Sequence, residues 1–312
     1  MGLPKRGLIP PNRKFSRVTT TNKHAETALL WMDDEIGTFS DGRFVCISMS
    51  SGNRHGYYRF SGAGGIVFYV EVFPTSLLTD DEYCFPETVL KLLPPRPSES
   101  CNYACITQNN HVTWHTKSLR GIRNTWHPCK IDLRDLAPVK YFNPNVCEVT
   151  YRGQRAISKI ALFEYEVGYL ERETGIYELL EGRDIAPRFL GHLMEQGRVI
   201  GFLLEHIPSR AGTPADYAVC LDVLRRLHAL RIVHNDIYKQ NFLIVDEGEG
   251  TEKRALLCDF SESEGEAQEE VLREEEGRLE GSLASEFGDD DADWSEFGQF
   301  RLREMSEREY RI

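Results

Sequence analysis

Residues 232–260 read IVHNDIYKQNFLIVDEGEGTEKRALLCDF, and they carry most of the chemical information in this 312-residue chain. His234, Asp236 and Asn241 stand in the order H-x-D-x-x-x-x-N. Asp259 follows eighteen residues after Asn241, at the end of another apolar run. The apolar runs on either side predict short strands that hold these side chains at the mouth of one pocket.

The residue types in this stretch suit phosphoryl transfer. The Asp236 carboxylate can orient a substrate hydroxyl and accept its proton. Asp259 and the amide oxygen of Asn241 are hard oxygen ligands, which Mg²⁺ prefers, so we assign the metal to these two residues. We expect His234 to brace the loop rather than to take part in the chemistry.

The segments HNDIYKQN and CDFS together resemble the catalytic loop and the metal-binding DFG region of the protein-kinase-like superfamily. The HND triplet is similar to that of aminoglycoside- and choline-phosphotransferase-type kinases and of atypical fungal protein-kinase-like sequences. ETGIYELLEG and IAPRFLGHLMEQGRVIGFLLEHI resemble the fungal sequences in particular. The resemblance covers about residues 139–262 and implies ATP and Mg²⁺ as cofactors. It further implies transfer of the γ-phosphoryl group to a hydroxyl of a protein Ser/Thr or of a small alcohol.

The resemblance also implies a strand lysine paired with a helix glutamate. Lys159, in the apolar run AISKIA, would contact the α- and β-phosphates of ATP. Glu173, inside a segment of helical periodicity, would orient it, because Tyr177 and Leu180 continue the same inward stripe. Three other glutamates compete for this role: Glu166, Glu171 and Glu178.

The segment GFLLEHIPSRAG resembles the strand and hinge that hold adenine in kinases. Such a hinge pairs with the base through its backbone groups. The resemblance therefore makes Glu205 and Ile207 candidates for nucleotide binding.

Three departures from the kinase pattern favour a different class of protein. No G-x-G-x-x-G precedes Lys159, Ser261 replaces the glycine of DFG, and only 53 residues, 24 of them charged, follow Asp259. We therefore expect a protein-kinase-like core with a shortened C-terminal lobe. The alternative is a pseudokinase-like nucleotide-binding or scaffold protein without turnover.

The pattern of strands and helices predicts an α+β fold with a β-rich N-terminal region. The predicted parts are a basic flexible arm (1–25), a β-rich domain of unknown role (26–138), the kinase-like domain (139–262) and an acidic tail, largely disordered or helical (263–312). Hairpin turns are predicted at Arg152–Gly153 and at Gln196–Gly197. The apolar runs RIVH, NFLIV and ALLCDF predict three short strands.

Charge is concentrated near the two ends of the chain. Residues 262–296 contain fifteen Asp or Glu and two Arg, and residues 1–24 contain six Lys or Arg and no acid. The acidic segment is a candidate site for a basic partner. We do not expect nucleic-acid binding, because the basic arm lacks interleaved aromatic residues.

Membrane association is not expected either. The chain has no run of eighteen apolar residues and no apolar signal segment at its start. Its eight cysteines are scattered and none forms a C-x-x-C pair. These features predict an intracellular protein, cytoplasmic or nuclear, with reduced thiols.

Overall fold

The computed structural model describes residues 44–52, 55–62, 66–246 and 253–285. The described residues form an α+β structure with a β-rich N-terminal region, as predicted. The predicted basic arm, residues 1–25, lies outside the described residues, and so do residues 286–312 of the predicted tail. No helix among the described residues is long and apolar enough to cross a membrane.

The first sheet follows the chain in simple order. Its strands are β1 (Phe44–Gly52), β2 (His55–Gly62), β3 (Val67–Val72), β4 (Tyr103–Ile106) and β5 (Val112–His115). Neighbours are antiparallel except β3 and β4, which are parallel. The chain between β3 and β4 contains the short helix α1 (Pro86–Leu92), since a parallel pair needs a crossover. The core under this sheet combines aromatic side chains, including Tyr58, Phe60 and Phe68, with aliphatic ones.

The second sheet has six strands and carries the candidate site. They are β6 (Lys130–Asp132), β7 (Ala137–Asn143), β8 (Val146–Tyr151), β9 (Gln154–Ile160), β10 (Phe189–Glu195) and β11 (Arg198–Glu205), in the order β6-β10-β11-β9-β8-β7. All of β6 and the start of β7 precede residue 139, so this sheet takes strands from the region predicted as 26–138. The strand β6 runs parallel to β10.

Both predicted hairpin turns of this sheet are confirmed. Arg152 and Gly153 have φ values of 48° and 77°, and Gln196 and Gly197 have φ values of 48° and 81°. Two successive residues with positive φ match the right-handed twist of the flanking strands. Gly201 meets a different requirement, because a Cβ there would lie 2.1 Å from the backbone oxygen of Lys159.

Three helices and a small third sheet complete the described structure. The helices are α2 (Val167–Leu180), α3 (Tyr217–His228) and α4 (Glu269–Ala284). The third sheet contains β12 (Arg210–Ala211), β13 (Phe242–Val245) and β14 (Arg254–Leu257), in that order. The strands β13 and β14 were predicted from NFLIV and ALLCDF. The run RIVH forms only one bridge, from Val233 to Glu264, and not the predicted strand.

The largest core joins the helices to the second and third sheets. Its buried side chains include Tyr177 of α2, Phe202 of β11, Leu224 of α3, Phe260 and Leu279 of α4. The helix α4 therefore belongs to the folded body, although it lies within the predicted acidic tail. The eight cysteines, all within the described residues, are free thiols.

Candidate functional site

Three side chains that are distant in the sequence form one charged cluster. Lys159 Nζ lies 2.7 Å from Glu173 Oε2 and 2.6 Å from Asp259 Oδ1. The Glu173 side chain is 1% exposed, so this ion pair lies inside the protein. The structure thus brings together the residues predicted to bind phosphate, to orient the lysine and to hold the metal.

The residue after Asp259 links the cluster to α2. Phe260 donates its backbone N–H to Glu173 Oε1 at 3.2 Å. Its ring is fully buried and lies edge-on to Tyr177 of α2, with 5.3 Å between ring centroids. Asp259 follows the C-terminal end of β14. Packing of Phe260 against α2 therefore holds Asp259 in contact with Lys159.

The three glutamates that competed with Glu173 have other partners. Glu166 accepts hydrogen bonds from two backbone N–H groups just before α2. Glu171 forms ion pairs with two arginines, and Glu178 accepts a hydrogen bond from Asn124 at 2.9 Å. Only Glu173 among the four contacts Lys159 in the described structure.

Burial and charge act in opposite directions on this cluster. Burial raises the pKa of Glu173 to about 7, and the ammonium of Lys159 opposes that rise. Burial lowers the pKa of Lys159, but the two carboxylates outweigh it and the pKa is raised. Burial also raises the pKa of Asp259, yet Lys159 holds that pKa below its usual range. Lys159 therefore stays charged, and Glu173 is the carboxyl that takes up a proton most readily.

Asp236 and Asn241 lie in the loop that precedes β13 and bind each other. Asn241 Nδ2 donates to the backbone oxygen of Asp236 at 2.8 Å and to Asp236 Oδ2 at 3.0 Å. This contact fixes the Asp236 carboxylate and leaves the Asn241 side-chain oxygen to act as a ligand. The predicted proton acceptor and one predicted metal ligand are thus held as a unit.

His234 joins this loop to the segment that carries Asp259. Its Nδ1 accepts the backbone N–H of Asp236 at 3.3 Å, and its Nε2 lies 3.1 Å from the backbone oxygen of Cys258. A ring that accepts at Nδ1 and donates at Nε2 is neutral. Burial lowers the pKa of His234, which favours the same neutral form. These contacts match the bracing role predicted for His234.

The environment of Asp236 suits a proton acceptor. Burial raises the pKa of Asp236, and the negative charge of Asp259 raises it further, while the hydrogen bond from Asn241 opposes both. A carboxylate with a raised pKa is a stronger base near neutral pH.

A buried glutamate of α4 accepts hydrogen bonds from the backbone of the same loop. Glu275 Oε1 accepts the backbone N–H of Asn235 at 2.6 Å, and Oε2 accepts that of His234 at 3.0 Å. Oε2 also lies 2.8 Å from Nε2 of His228, at the end of α3. Sequence reasoning missed this residue because it placed residue 275 in the tail. The spacing of Leu272, Glu275 and Leu279 at steps of three and four was the available signal.

The turn between β7 and β8 lies beside Lys159, where the resemblance implies a glycine-rich loop. Val146, which ends this turn, pairs with Lys159 across the strands. Asn143 Oδ1 accepts the backbone N–H groups of Asn145 and Val146, both at 2.9 Å. A glycine-rich loop presents its backbone N–H groups to phosphate. In this turn the two corresponding N–H groups are already hydrogen-bonded to Asn143.

The predicted hinge residues lie at the end of β11, away from the charged cluster. Glu205 pairs with Ala156 of β9, three residues before Lys159, which is about 10 Å along a strand. The backbone N–H of Glu205 donates to the backbone oxygen of Arg188 at 2.9 Å. The backbone oxygen of Ile207 accepts a hydrogen bond from the Ser209 hydroxyl at 3.1 Å. Neither predicted residue is brought into contact with Lys159, Glu173 or Asp259.

The oxygen donors near Asp259 fit Mg²⁺ as a partner of phosphate. Within the described ranges, no three His, Cys, Asp or Glu side chains converge on a common metal position. One carboxylate and one amide oxygen, from Asp259 and Asn241, are nevertheless a typical protein share of a Mg²⁺ shell that phosphate and water complete. The backbone N–H of Cys258 donates to the backbone oxygen of Asn241 at 3.0 Å, which joins the two segments.

Comparison with known proteins adds no family assignment. The chain matches no model of a protein family, and no curated protein is significantly similar to it.

Proposed function

We propose that this chain is an ATP- and Mg²⁺-dependent phosphotransferase with a protein-kinase-like core. The observation that carries the proposal is the contact of Lys159 with both Glu173 and Asp259, next to a second pair, Asp236 and Asn241. One positive charge and several oxygen donors are the groups that phosphoryl transfer requires. The acceptor is the hydroxyl of a protein Ser/Thr or of a small alcohol.

Each residue has a chemical role in this proposal. Lys159, oriented by Glu173, binds phosphate oxygens of ATP. Asp259 and Asn241 hold Mg²⁺, which when bound neutralises charge on the phosphates. Asp236 orients the acceptor hydroxyl and takes its proton on a carboxylate oxygen, and backbone groups near Glu205 and Ile207 bind adenine.

A second candidate function is a pseudokinase-like nucleotide-binding or scaffold protein without turnover. The observation that favours it is the turn between β7 and β8, where the N–H groups of Asn145 and Val146 already donate to Asn143 Oδ1 beside Lys159. The first sheet and the acidic segment, as a site for a basic partner, would then carry the function. Nucleotide binding alone does not separate the two candidates, but turnover does.

The test is thermal unfolding with ATP, with and without Mg²⁺, for the wild type and for the Asp259→Asn and Asp236→Asn variants. At about 100 times Kd, a ligand stabilises the folded protein by about 2.7 kcal/mol. We expect a Mg²⁺-dependent shift in the wild type and in Asp236→Asn, and its loss in Asp259→Asn. Asp222→Asn, at an exposed position of α3, is the matched control and should behave as the wild type.

Turnover is then measured as hydrolysis of ATP and as phosphate transfer to hydroxyl compounds and peptides. Loss of turnover in Asp236→Asn with nucleotide binding retained supports the phosphotransferase. Binding without turnover in the wild type supports the pseudokinase-like function. A folded wild type that shows no shift with ATP contradicts the phosphotransferase and the nucleotide-binding form of the second candidate, and leaves the scaffold function.

A further inference from the structure

The segment that links the first and second sheets lies along the outer face of α2. We call residues 117–126 the strap. Its contacts with α2 and the turn before it are made by charged, amide and indole groups. They are Lys117 Nζ to Glu164 at 2.5 Å, Arg120 to Glu171 at 2.8 Å, Arg123 to Glu171 at 3.2 Å, Asn124 to Glu178 at 2.9 Å, and Trp126 to the backbone oxygen of Thr174 at 2.9 Å.

Two of the contacted residues share one side of the helix. Glu171 and Glu178 are seven residues apart, which is nearly two turns of an α-helix, and Glu164 lies in the turn that precedes α2. Glu173 is two residues from Glu171 and therefore points about 200° away around the axis. The strap and Lys159 thus hold α2 from opposite sides.

The other side of the strap is attached to the second sheet. Ile122 donates its backbone N–H to the backbone oxygen of Val199 on β11 at 2.8 Å, and its side chain is buried in the largest core. Arg198 Nη1 donates to the backbone oxygen of Arg120 at 2.9 Å. At Gly121 an added Cβ would lie 2.8 Å from Val199 O, so the approach is close. The strap is therefore attached to the second sheet and crosses the outer face of the helix.

The first sheet anchors the beginning of the strap. Asn102, just before β4, binds the backbone of Lys117 twice: its Nδ2 donates to Lys117 O at 2.9 Å, and its Oδ1 accepts Lys117 N–H at 2.8 Å. The Lys117 ammonium also lies 4.0 Å from the centre of the Tyr103 ring. Displacement of α2 away from Lys159 would therefore press the helix against a segment held at several points.

We propose that the strap, anchored by the first sheet, is a built-in positioning device that keeps α2 in place and Glu173 in contact with Lys159. Glu164, Glu171 and Trp126 are then positioning residues for the candidate site. Where it concerns turnover, this inference rests on the proposed function. The position of α2 itself does not depend on that function and is measured separately.

The experiment weakens the strap and measures whether Glu173 keeps its place. Single exposed ion pairs are weak, so charge reversal, which turns attraction into repulsion, is the sharper change. The variants are Glu171→Lys, the milder Glu164→Gln with Glu171→Gln, and Glu171→Lys combined with Arg120→Glu and Arg123→Glu, which restores opposite charges. Glu280→Lys, at an exposed position of α4, is the charge-matched control.

The readout is the hydrogen-exchange rate of the Phe260 backbone N–H, which donates to Glu173 Oε1 at 3.2 Å, measured by NMR relative to the core N–H of Leu257, which donates to the backbone oxygen of Ile185. Displacement of α2 removes the Glu173 acceptor, so the Phe260 N–H exchanges faster. We expect faster exchange in Glu171→Lys and in the milder double variant, and slower exchange again in the charge-restored triple variant. Glu280→Lys should match the wild type.

The result is interpreted only for variants that retain a cooperative thermal transition. Unchanged Phe260 exchange in the folded milder variant overturns the inference, as does faster exchange that the triple variant fails to reverse. Faster exchange in a protein that shows no ATP binding or turnover supports the strap and contradicts the proposed function. Faster exchange with reduced turnover supports both.

Discussion

Lys159 has two carboxylate neighbours, and their different burial decides how each of them titrates. Glu173 is 1% exposed, whereas Asp259 is 40% exposed. Burial disfavours the charged form, so the pKa of Glu173 rises while that of Asp259 falls under the influence of Lys159. Lys159 thus keeps Asp259 ionised, whereas Glu173 gains or loses a proton close to neutral pH.

This difference predicts how stability depends on pH. The pKa of Glu173 is about 7 in the folded protein, against an ordinary value of 4.5. The folded state holds the proton more tightly, so this contribution to stability is fully present below about pH 4.5 and is lost as pH rises through about 7. The unfolding free energy of the wild type, relative to Glu173→Gln, should therefore fall between about pH 5 and pH 8.

Denaturant unfolding across this pH range is the measurement. Glu178→Gln removes a charge from an exposed position of the same helix and is the matched control. Parallel profiles for the wild type and Glu173→Gln would contradict the prediction.

Helix α4 shows how an acidic segment becomes part of a folded site. Leu272, Leu279 and Leu283 bury one face of the helix, and its glutamates other than Glu275 lie at least partly exposed. Burial raises the pKa of Glu275, but hydrogen bonds from His228 and from two backbone N–H groups outweigh it, and the pKa is lowered. Glu275 is therefore a buried anion that accepts hydrogen bonds from two backbone N–H groups of the loop before Asp236.

Replacing Glu275 with Gln should destabilise the protein. Both carboxylate oxygens accept hydrogen bonds, and an amide offers only one oxygen, so one buried N–H group loses its acceptor. Such a loss costs about 1–3 kcal/mol. Glu274→Gln, on the exposed side of the same helix, should change the unfolding free energy by less than about 0.5 kcal/mol. Urea unfolding of both variants checks this, and equal stabilities would contradict it.

The two large sheets meet at a buried group of charges. Arg59 of β2 forms an ion pair with Glu195 of β10, and their side chains are 4% and 9% exposed. Tyr69 of β3 donates its hydroxyl to Glu195 at 3.2 Å, and Arg198 of β11 lies 3.4 Å from the same carboxylate. Two charges this deeply buried need their partners, so the junction couples the folding of both sheets.

Loss of one partner should be costly at this junction. We expect Arg59→Met to lower the unfolding free energy by about 3 kcal/mol, because it leaves part of the buried Glu195 charge uncompensated. Arg155→Met removes an exposed arginine that pairs with Glu148, and its cost should stay below about 1 kcal/mol. Calorimetry is the measurement. A small and equal effect of the two substitutions would show that the sheets do not depend on the buried pair.

Local patterns in the sequence were sufficient for the parts of the fold that depend on neighbouring residues. Two kinds of local signal depend only on backbone preference and on the spacing of apolar residues. They are the turn residues at Arg152–Gly153 and Gln196–Gly197 and the helical periodicity around Glu173. They correctly predicted two hairpins and α2. The loop from His234 to Asn241 could be proposed as a site from the sequence because its candidate residues lie within eight consecutive positions, and its chemical role stays a prediction.

Contacts between distant segments could not be obtained in this way. Glu275 looks like any other glutamate of an acidic run until α4 packs beneath the loop of His234. The strap and the pair of Arg59 with Glu195 likewise have no local signature, because each joins residues that are far apart in the chain. Hydrophobic periodicity predicts which face of an element is buried, but the partner of a buried charge is chosen only when the elements pack together.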